Sequence, residues 1–373
     1  MKAIYIIELI PIIFVIISLL LWNTYGKDKK IDPKSNNKLP NLSLPQLSLI
    51  YNSNVTKTDL IFLLLDLSNQ GYIKIEEEQN NKFKITKLKD IEDNSLESIF
   101  LKELFVKHNT ISLDEYINAL STKNKDTNKE QTKTLKSNEL PKRFSFVSSK
   151  LLGLFNKGKN KYYIKESESK RIYLLGMISI ILLLVTCYPF YKLDMLKYIP
   201  FSLLFSIGTL AVVVNFVNKL DLGYINKYQI IFGTIVLIIL WATFLIPVFS
   251  LTSEFLISYF IGILSIILIL VIYRYMPKKT KLGHKLRTEI ESYKKYILKL
   301  SKEEQKELLE KEPYYFINIL PISYIIGINN TIYDYLKDNK ISKPKYYILS
   351  SDYTIQKYYN SINRFIDTLN NVK

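Results

Sequence analysis

A single cysteine, Cys187, occurs among the 373 residues, which excludes both internal disulfides and multi-cysteine metal sites. The two histidines, His108 and His284, lie far apart without ligand-like spacing, so neither a metal nor a cofactor is expected. Charge is missing where transport would need it. Four apolar blocks, Ile172–Phe190, Tyr198–Val217, Tyr228–Ser250 and Phe255–Tyr275, hold no Asp, Glu, Lys, Arg or His in their interiors. Ion-coupled carriers and proton relays ordinarily place such groups inside the membrane, so this counts against a pump or secondary transporter. No nucleophile stands with a base, and the chain is not expected to be an enzyme. The nearest approach to a carboxylate site is Glu303, Glu304, Glu307 and Asp334, where the helical spacing of the glutamates reads more simply as a solvated face.

What the chain has in quantity is hydrocarbon. Each block is close to the ~20 residues with which a helix crosses a ~30 Å bilayer core. A further stretch, Ile4–Trp22, precedes them. Its apolar core exceeds the roughly 7–15 residues of a secretory signal, and Asn23-Thr24-Tyr25 offers no small-x-small cleavage site, so it reads as an uncleaved anchor. Five spans result. Only Lys2 precedes the first span, whereas Lys27, Lys29 and Lys30 follow it, which puts the N-terminus outside. Asn218–Lys227, with Lys219 and Lys227, then falls inside, and Leu251–Glu254, without Lys or Arg, falls outside. Arg274, Lys278, Lys279, Lys281, Lys285 and Arg287 crowd the inner exit of the last span; Tyr191–Lys197, with two lysines and one aspartate, runs weakly against the pattern. Glu8, followed by Pro11, is the only acid within a span; its place near the helix start suits an interfacial carboxylate. The net charge of +17, from 51 Lys+Arg and 34 Asp+Glu, is spread along the chain and is read as inner-side positive charge, not as a nucleic-acid footprint.

The expected divisions are an anchor at 1–26, a tether at 27–42, a first cytoplasmic block at 43–170 with a disordered insert near 121–141, a four-helix membrane region at 171–275, and a helical cytoplasmic region at 276–373. In the first block Ser43–Tyr51 reads as a helix, and Thr56–Asn69 opens with Thr-x-x-Asp and stops at Gly71. Tyr72–Glu78 and Lys82–Leu88 alternate as a hairpin, and helices are expected at Ser95–Lys107 and Ser112–Leu120. Helix, helix, glycine and hairpin is the order of a winged helix-turn-helix. DNA is nonetheless a poor partner, because Lys57 is the only basic residue on the helix before the hairpin and the wing opens with Glu76-Glu77-Glu78. Phe144, Val147, Leu151, Leu154 and Phe155 form an apolar stripe that would lie either on the inner leaflet or on the winged domain, before a strand at Tyr162–Lys165. Beyond the spans, Lys285–Glu310 is helical with a capping box at Ser301 and Glu304. Tyr314–Ile328 is apolar but interrupted at Asn318, Pro321 and Gly327, and would either dip into the interface with its tyrosines at headgroup depth or form paired short helices; Thr354–Leu369 is amphipathic.

Three stretches carry a resemblance: Lys38-Leu39-Pro40 with Thr58-Asp59-Leu60, Leu64-Leu65-Asp66-Leu67 and Gly71-Tyr72-Ile73; Thr280 with Gly283; and Pro313-Tyr314-Tyr315-Phe316 with Leu320-Pro321 and Gly327. In these the chain resembles the C-terminal portion of the YciQ-like predicted membrane proteins (domain of unknown function 2207), although Ile322-Ser323 replaces the usual Tyr-Ala. The resemblance supplies no catalytic residues. Its members commonly carry an extracytoplasmic β-rich domain ahead of the first anchor, which here would be a separate polypeptide or lost.

The expectation is therefore an α-helical integral membrane protein of about five transmembrane helices, with a cytoplasmic winged-helix-like α+β domain and a cytoplasmic α-helical C-terminal region. Its expected role is that of a non-enzymatic scaffold or protein-interaction component at the cytoplasmic membrane. The alternatives are a membrane-tethered transcription regulator using the winged domain and a transporter or channel component, the latter motivated by Asn215 and the bundle's Ser/Thr residues. The expected partners are the lipid bilayer and a protein, either a separate extracytoplasmic subunit or a second copy. Nucleic acid is not among them.

Overall fold

The computed structural model describes residues 2–78, 82–93, 95–106, 109–112, 140–221, 256–339 and 341–370. In chain order, α1 (Lys2–Leu21) runs into a π-helical turn (Trp22–Gly26), followed by α2 (Leu44–Asn52), α3 (Lys57–Asn69), β1 (Ile73–Glu78), β2 (Lys82–Lys87), α4 (Leu96–Leu104), β3 (Thr110–Ser112) and α5 (Leu140–Lys157). Next come α6 (Lys165–Lys192), α7 (Ile199–Asp221) and α8 (Leu256–Arg274). The chain closes with α9 (Lys281–Ile297), α10 (Lys302–Lys311), α11 (Tyr315–Ile326), α12 (Asn329–Asp338), β4 (Tyr347–Ile348) and α13 (Ile355–Asn370). Two compact units result: Met1–Ile31 with Asn160–Lys285, and Asp32–Lys159 with Leu286–Lys373.

The first unit is apolar on its outside as well as inside. Among the described residues four helical stretches, Leu9–Gly26, Lys165–Lys192, Leu196–Val214 and Ile257–Arg274, are long and apolar enough to cross a bilayer. Leu20, Phe201, Leu204, Ile257, Phe260 and Leu264 are exposed, as side chains facing lipid would be. Leu174, Ile178, Ile181 and Val185 of α6 meet Tyr259, Ile266, Ile269 and Tyr273 of α8 in a shared core, with Phe14 and Val15 of α1 against it. Gly262 allows this approach, since a Cβ there would run into the Val185 side chain. Buried hydroxyls return to their own helices: Ser18 donates to the Phe14 carbonyl (2.7 Å), Thr186 to that of Leu182 (2.8 Å) and Ser206 to that of Ser202 (2.9 Å). The Thr186 and Ser206 hydroxyls also lie 2.6 Å apart, so one of them shares its single proton between its own helix and the other hydroxyl, tying α6 to α7. The block Tyr228–Ser250 lies outside the described residues, as do the side chains of Glu8 and Asn215.

The second unit brings together both polar stretches of the chain around one sheet. Its strands run β3-β2-β1-β4. The β1–β2 hairpin is antiparallel from Ile73↔Lys87 to Glu78↔Lys82; β3 extends it antiparallel through Ile85↔Ile111, and β4 joins β1 in parallel through Ile75↔Tyr347. The two-residue period of a strand turns Ile73, Ile75 and Glu77 inward together. Three helix starts are fixed by reciprocal capping boxes, Ser43 with Gln46, Thr56 with Asp59 and Ser301 with Glu304. The stop after α3 is Gly71, at φ +75° and packed so closely on the Tyr346 ring that a Cβ would sit 2.8 Å from it.

Several expectations change here. Thr110–Ser112 is an edge strand; β-branched Thr110 and Ile111 complete the ladder that β2 leaves open, so the helix expected to start at Ser112 does not start there. The rest of that helix, and the insert up to residue 139, lie outside the described residues, while Leu140 and Pro141 open α5. Phe144, Val147 and Leu151 of α5 are buried in their own unit, which selects packing on the domain over a place on the leaflet. Of the strand expected at Tyr162–Lys165 only one bridge forms, Tyr163 to Lys279, and Lys165 begins α6. Finally, α11 continues through Pro321. Proline removes the N–H that would reach the Ile317 carbonyl, and the Asn69 amide supplies it instead at 2.9 Å. Asn69→Leu is expected to leave that carbonyl without its donor, at a cost of about 1–3 kcal/mol, read as a lowered unfolding midpoint of the purified protein; an unchanged midpoint would refute the substitution of one donor by the other.

Candidate functional site

The helix preceding the hairpin, α3, is the element on which a DNA-reading role would rest. Its sequence between Leu60 and Leu67 is apolar except for Asp66, and a helix apolar on nearly all sides must be covered on nearly all sides. No residue of α3 is exposed. Phe62 stacks on Tyr324 of α11 at 5.0 Å, and Phe365 of α13 meets Phe83 beneath at 5.2 Å. The polar positions are also taken: Thr58 bonds Asn370 at 3.0 Å, Ser68 donates to the Tyr346 carbonyl at 3.1 Å, Asn69 serves Ile317, and Asp66 accepts from Gln70 at 2.8 Å. Burial pushes the Asp59 carboxyl above the usual range against its bonds to Thr56, and pushes Asp66 up to about 7 against its bond to Gln70.

A carboxyl raised in the fold binds its proton more tightly there than in the unfolded chain. Its contribution to stability is therefore full below the ordinary carboxylate pKa of about 4 and is lost as pH rises through about 7. Asp66→Asn is expected to raise the unfolding midpoint at pH 8 more than at pH 5; equal shifts at both pH values would refute this.

Of the acidic wing expected at Glu76–Glu78, only Glu78 remains exposed. Glu76 pairs with Lys74 at 2.6 Å, and Glu77, whose side chain is 4% exposed, pairs with Arg364 of α13 at 2.5 Å. The cations of α9 serve as helix caps. Lys294 donates to the last carbonyl of α11, that of Ile326, at 2.7 Å and to the Tyr51 hydroxyl at 3.0 Å, while Arg287 lies 3.5 Å over the Tyr51 ring and bonds its carbonyl.

A second convergence lies in the membrane-type unit, where the end of α1, the start of α6 and the exit of α8 form one collar. Thr280, singled out in the sequence with Gly283, caps α9: its hydroxyl accepts from the Gly283 N–H (3.1 Å) and donates to the Lys161 carbonyl (2.9 Å), and its N–H reaches the Tyr162 carbonyl (2.9 Å). Gly283 is required because that carbonyl lies where a Cβ would be; even its carbon would be 3.1 Å away. Asp28 accepts from the Lys279 backbone (2.8 Å) and ammonium (3.0 Å), Ser167 accepts from the Lys278 N–H (2.9 Å), Trp22 donates to the Tyr275 carbonyl (3.2 Å), and His284 meets the Lys29 carbonyl (3.1 Å). Asp28 was not expected as a partner; its one signal is that it is the single acid among the lysines 27–30.

The remaining candidates do not converge. Glu304 caps its own helix, while Glu303, Glu307 and Asp334 are exposed. His108 lies outside the described residues, and Cys187 is a half-buried thiol in α6. Among the described residues no group of three His, Cys, Asp or Glu side chains could hold a metal.

Helices of this length and outward apolarity, ending in an aromatic and cationic collar, define a multi-helix membrane protein. The chain belongs to the family described as predicted membrane protein (DUF2207), C-terminal domain, whose profile matches residues 33–222. The tether from residue 33, the helix–hairpin motifs and helices α2 to α7 fall inside that match; α1 precedes it, and Thr280, Gly283 and the Pro313–Gly327 motif fall beyond it. No curated protein and no solved structure matches the chain.

Proposed function

We propose that this is a non-enzymatic membrane protein that docks a protein partner, a separate subunit or a second copy, through a cytoplasmic body tethered to five spans. In this reading α2, α3 and the hairpin form a winged-helix-like module, the N-terminus is outside, and Tyr228–Ser250 is the fifth span. The observation that carries it is the cover over α3. A winged module reads DNA with this helix in the major groove, whereas here the helix has no exposed residue. That speaks for protein docking over transcriptional regulation. Transport gains no support either, since the hydroxyls Thr186 and Ser206 are spent on each other and on their own helices.

The test uses single cysteines at exposed positions, Asn52→Cys and Ser351→Cys, in a Cys187→Ser background. A membrane-impermeant maleimide is expected to label neither in intact cells and both after permeabilisation. A short bifunctional maleimide added to permeabilised cells is expected to shift either variant to a discrete larger species. Labelling from outside would reverse the orientation, and a chain that never cross-links would remove the docking role.

A further inference from the structure

The collar carries more cations than its own contacts use. Segments 27–31, 160–171 and 274–285 hold twelve Lys and Arg residues and three acids, and Asp28 is committed to Lys279. Lys170 stands out by its surroundings. Its ammonium lies 5.0 Å from the Tyr25 ring, at the end of α1, and 5.0 Å from the Tyr173 ring, one turn further along α6. Lys27 lies 6.0 Å from the Trp22 ring on the same π-helical turn as Tyr25. Among the described residues neither lysine forms an ion pair. Exposed hydrocarbon begins at once below them, at Ile172 (72% exposed) and Leu20 (62%). Rings at this depth mark the headgroup layer, with acyl chains on one side and water on the other.

We infer that the Tyr25–Lys170–Tyr173 cradle, with Lys27 two residues along the chain from Tyr25, binds the phosphodiester headgroup of an anionic phospholipid. The rings hold the Lys170 ammonium by its flanks and leave its remaining N–H donors for phosphate oxygens. A soluble anion would satisfy the lysines but not the apolar surface directly beneath them. A phospholipid matches both, its phosphate at Lys27 and Lys170 and its chains along residues such as Ile172. Nothing here depends on which side of the membrane the collar faces, so the inference stands apart from the proposed orientation and docking role.

Trp22 is a built-in reporter, because the chain has only one other tryptophan, Trp241. The full-length Trp241→Phe protein would be reconstituted in zwitterionic vesicles containing a minor fraction of acyl-brominated phosphatidylglycerol or acyl-brominated phosphatidylcholine, present in both leaflets. Trp22 fluorescence is expected to be quenched at about thirtyfold lower mole fraction of the anionic lipid, as two lysines at about 1 kcal/mol each imply. Lys27→Gln/Lys170→Gln should bring the two lipids level, and Lys27→Arg/Lys170→Arg should keep them apart. Equal quenching of the parent protein by both lipids, which needs no charge variant, would overturn the inference. So would a preference surviving in the double glutamine variant, or one abolished by inorganic phosphate at unchanged ionic strength, which would assign the site to a free anion.

Discussion

Gly283→Ala is expected to break the collar. The added methyl must occupy the position of the Tyr162 carbonyl oxygen, and the obstacle is backbone, not a side chain that can swing away. The Tyr162 carbonyl is also the acceptor for the Thr280 N–H, so moving it unmakes the cap that starts α9. Overpacking alone costs typically about 1–3 kcal/mol, and the lost capping contacts add about 1 kcal/mol. The purified protein should unfold at markedly lower temperature, with proteolysis opening first near residues 160–170 and 276–285. Thr280→Ser should be nearly silent, since the hydroxyl does the capping. If Gly283→Ala leaves both the melting temperature and the cleavage pattern unchanged, the close approach does not exist.

The second large effect is expected from Arg364→Met. It leaves the Glu77 carboxylate on the inward face of β1 without its cation, and breaking one side of a buried pair costs about 3–5 kcal/mol. Arg364 is itself partly exposed, which places the expectation at the lower end of that range. Glu77→Gln in the Arg364→Met background should recover most of the loss, because an amide needs no counter-charge. A double variant as unstable as Arg364→Met alone would show that Arg364 acts by packing its stem and not by its charge.

Both sites were partly legible before the structure. The period-two pattern of β1 puts Glu77 on the same side as Ile73 and Ile75, so a buried carboxylate could be read there; its partner could not, because Arg364 is 287 residues away. The helix–hairpin order, the capping boxes at Thr56 and Ser301 and the stop at Gly71 are local signals, and each appears where local chemistry puts it. The unbroken run Leu60–Leu65 signalled a helix covered all round, but nothing local says by what. β4 is two residues long, too short for any alternation to announce it. Pro321 misled for a related reason: a proline reads as a break unless the distant amide of Asn69 is known to stand in for the missing donor.

The covering of α3 by α11 and α13 has a consequence for biosynthesis. The apolar surface of α3 cannot be sheltered until Tyr324 and α13 have left the ribosome, long after the segment's own synthesis and after the intervening hydrophobic helices have been inserted. At about 5–20 residues per second, nearly three hundred residues of delay amount to roughly a quarter of a minute to a minute of nascent exposure. Throughout that interval the newborn amino-terminal segment would present the kind of apolar surface that chaperones shield, and a message cut short before the last helix would yield a product without that cover.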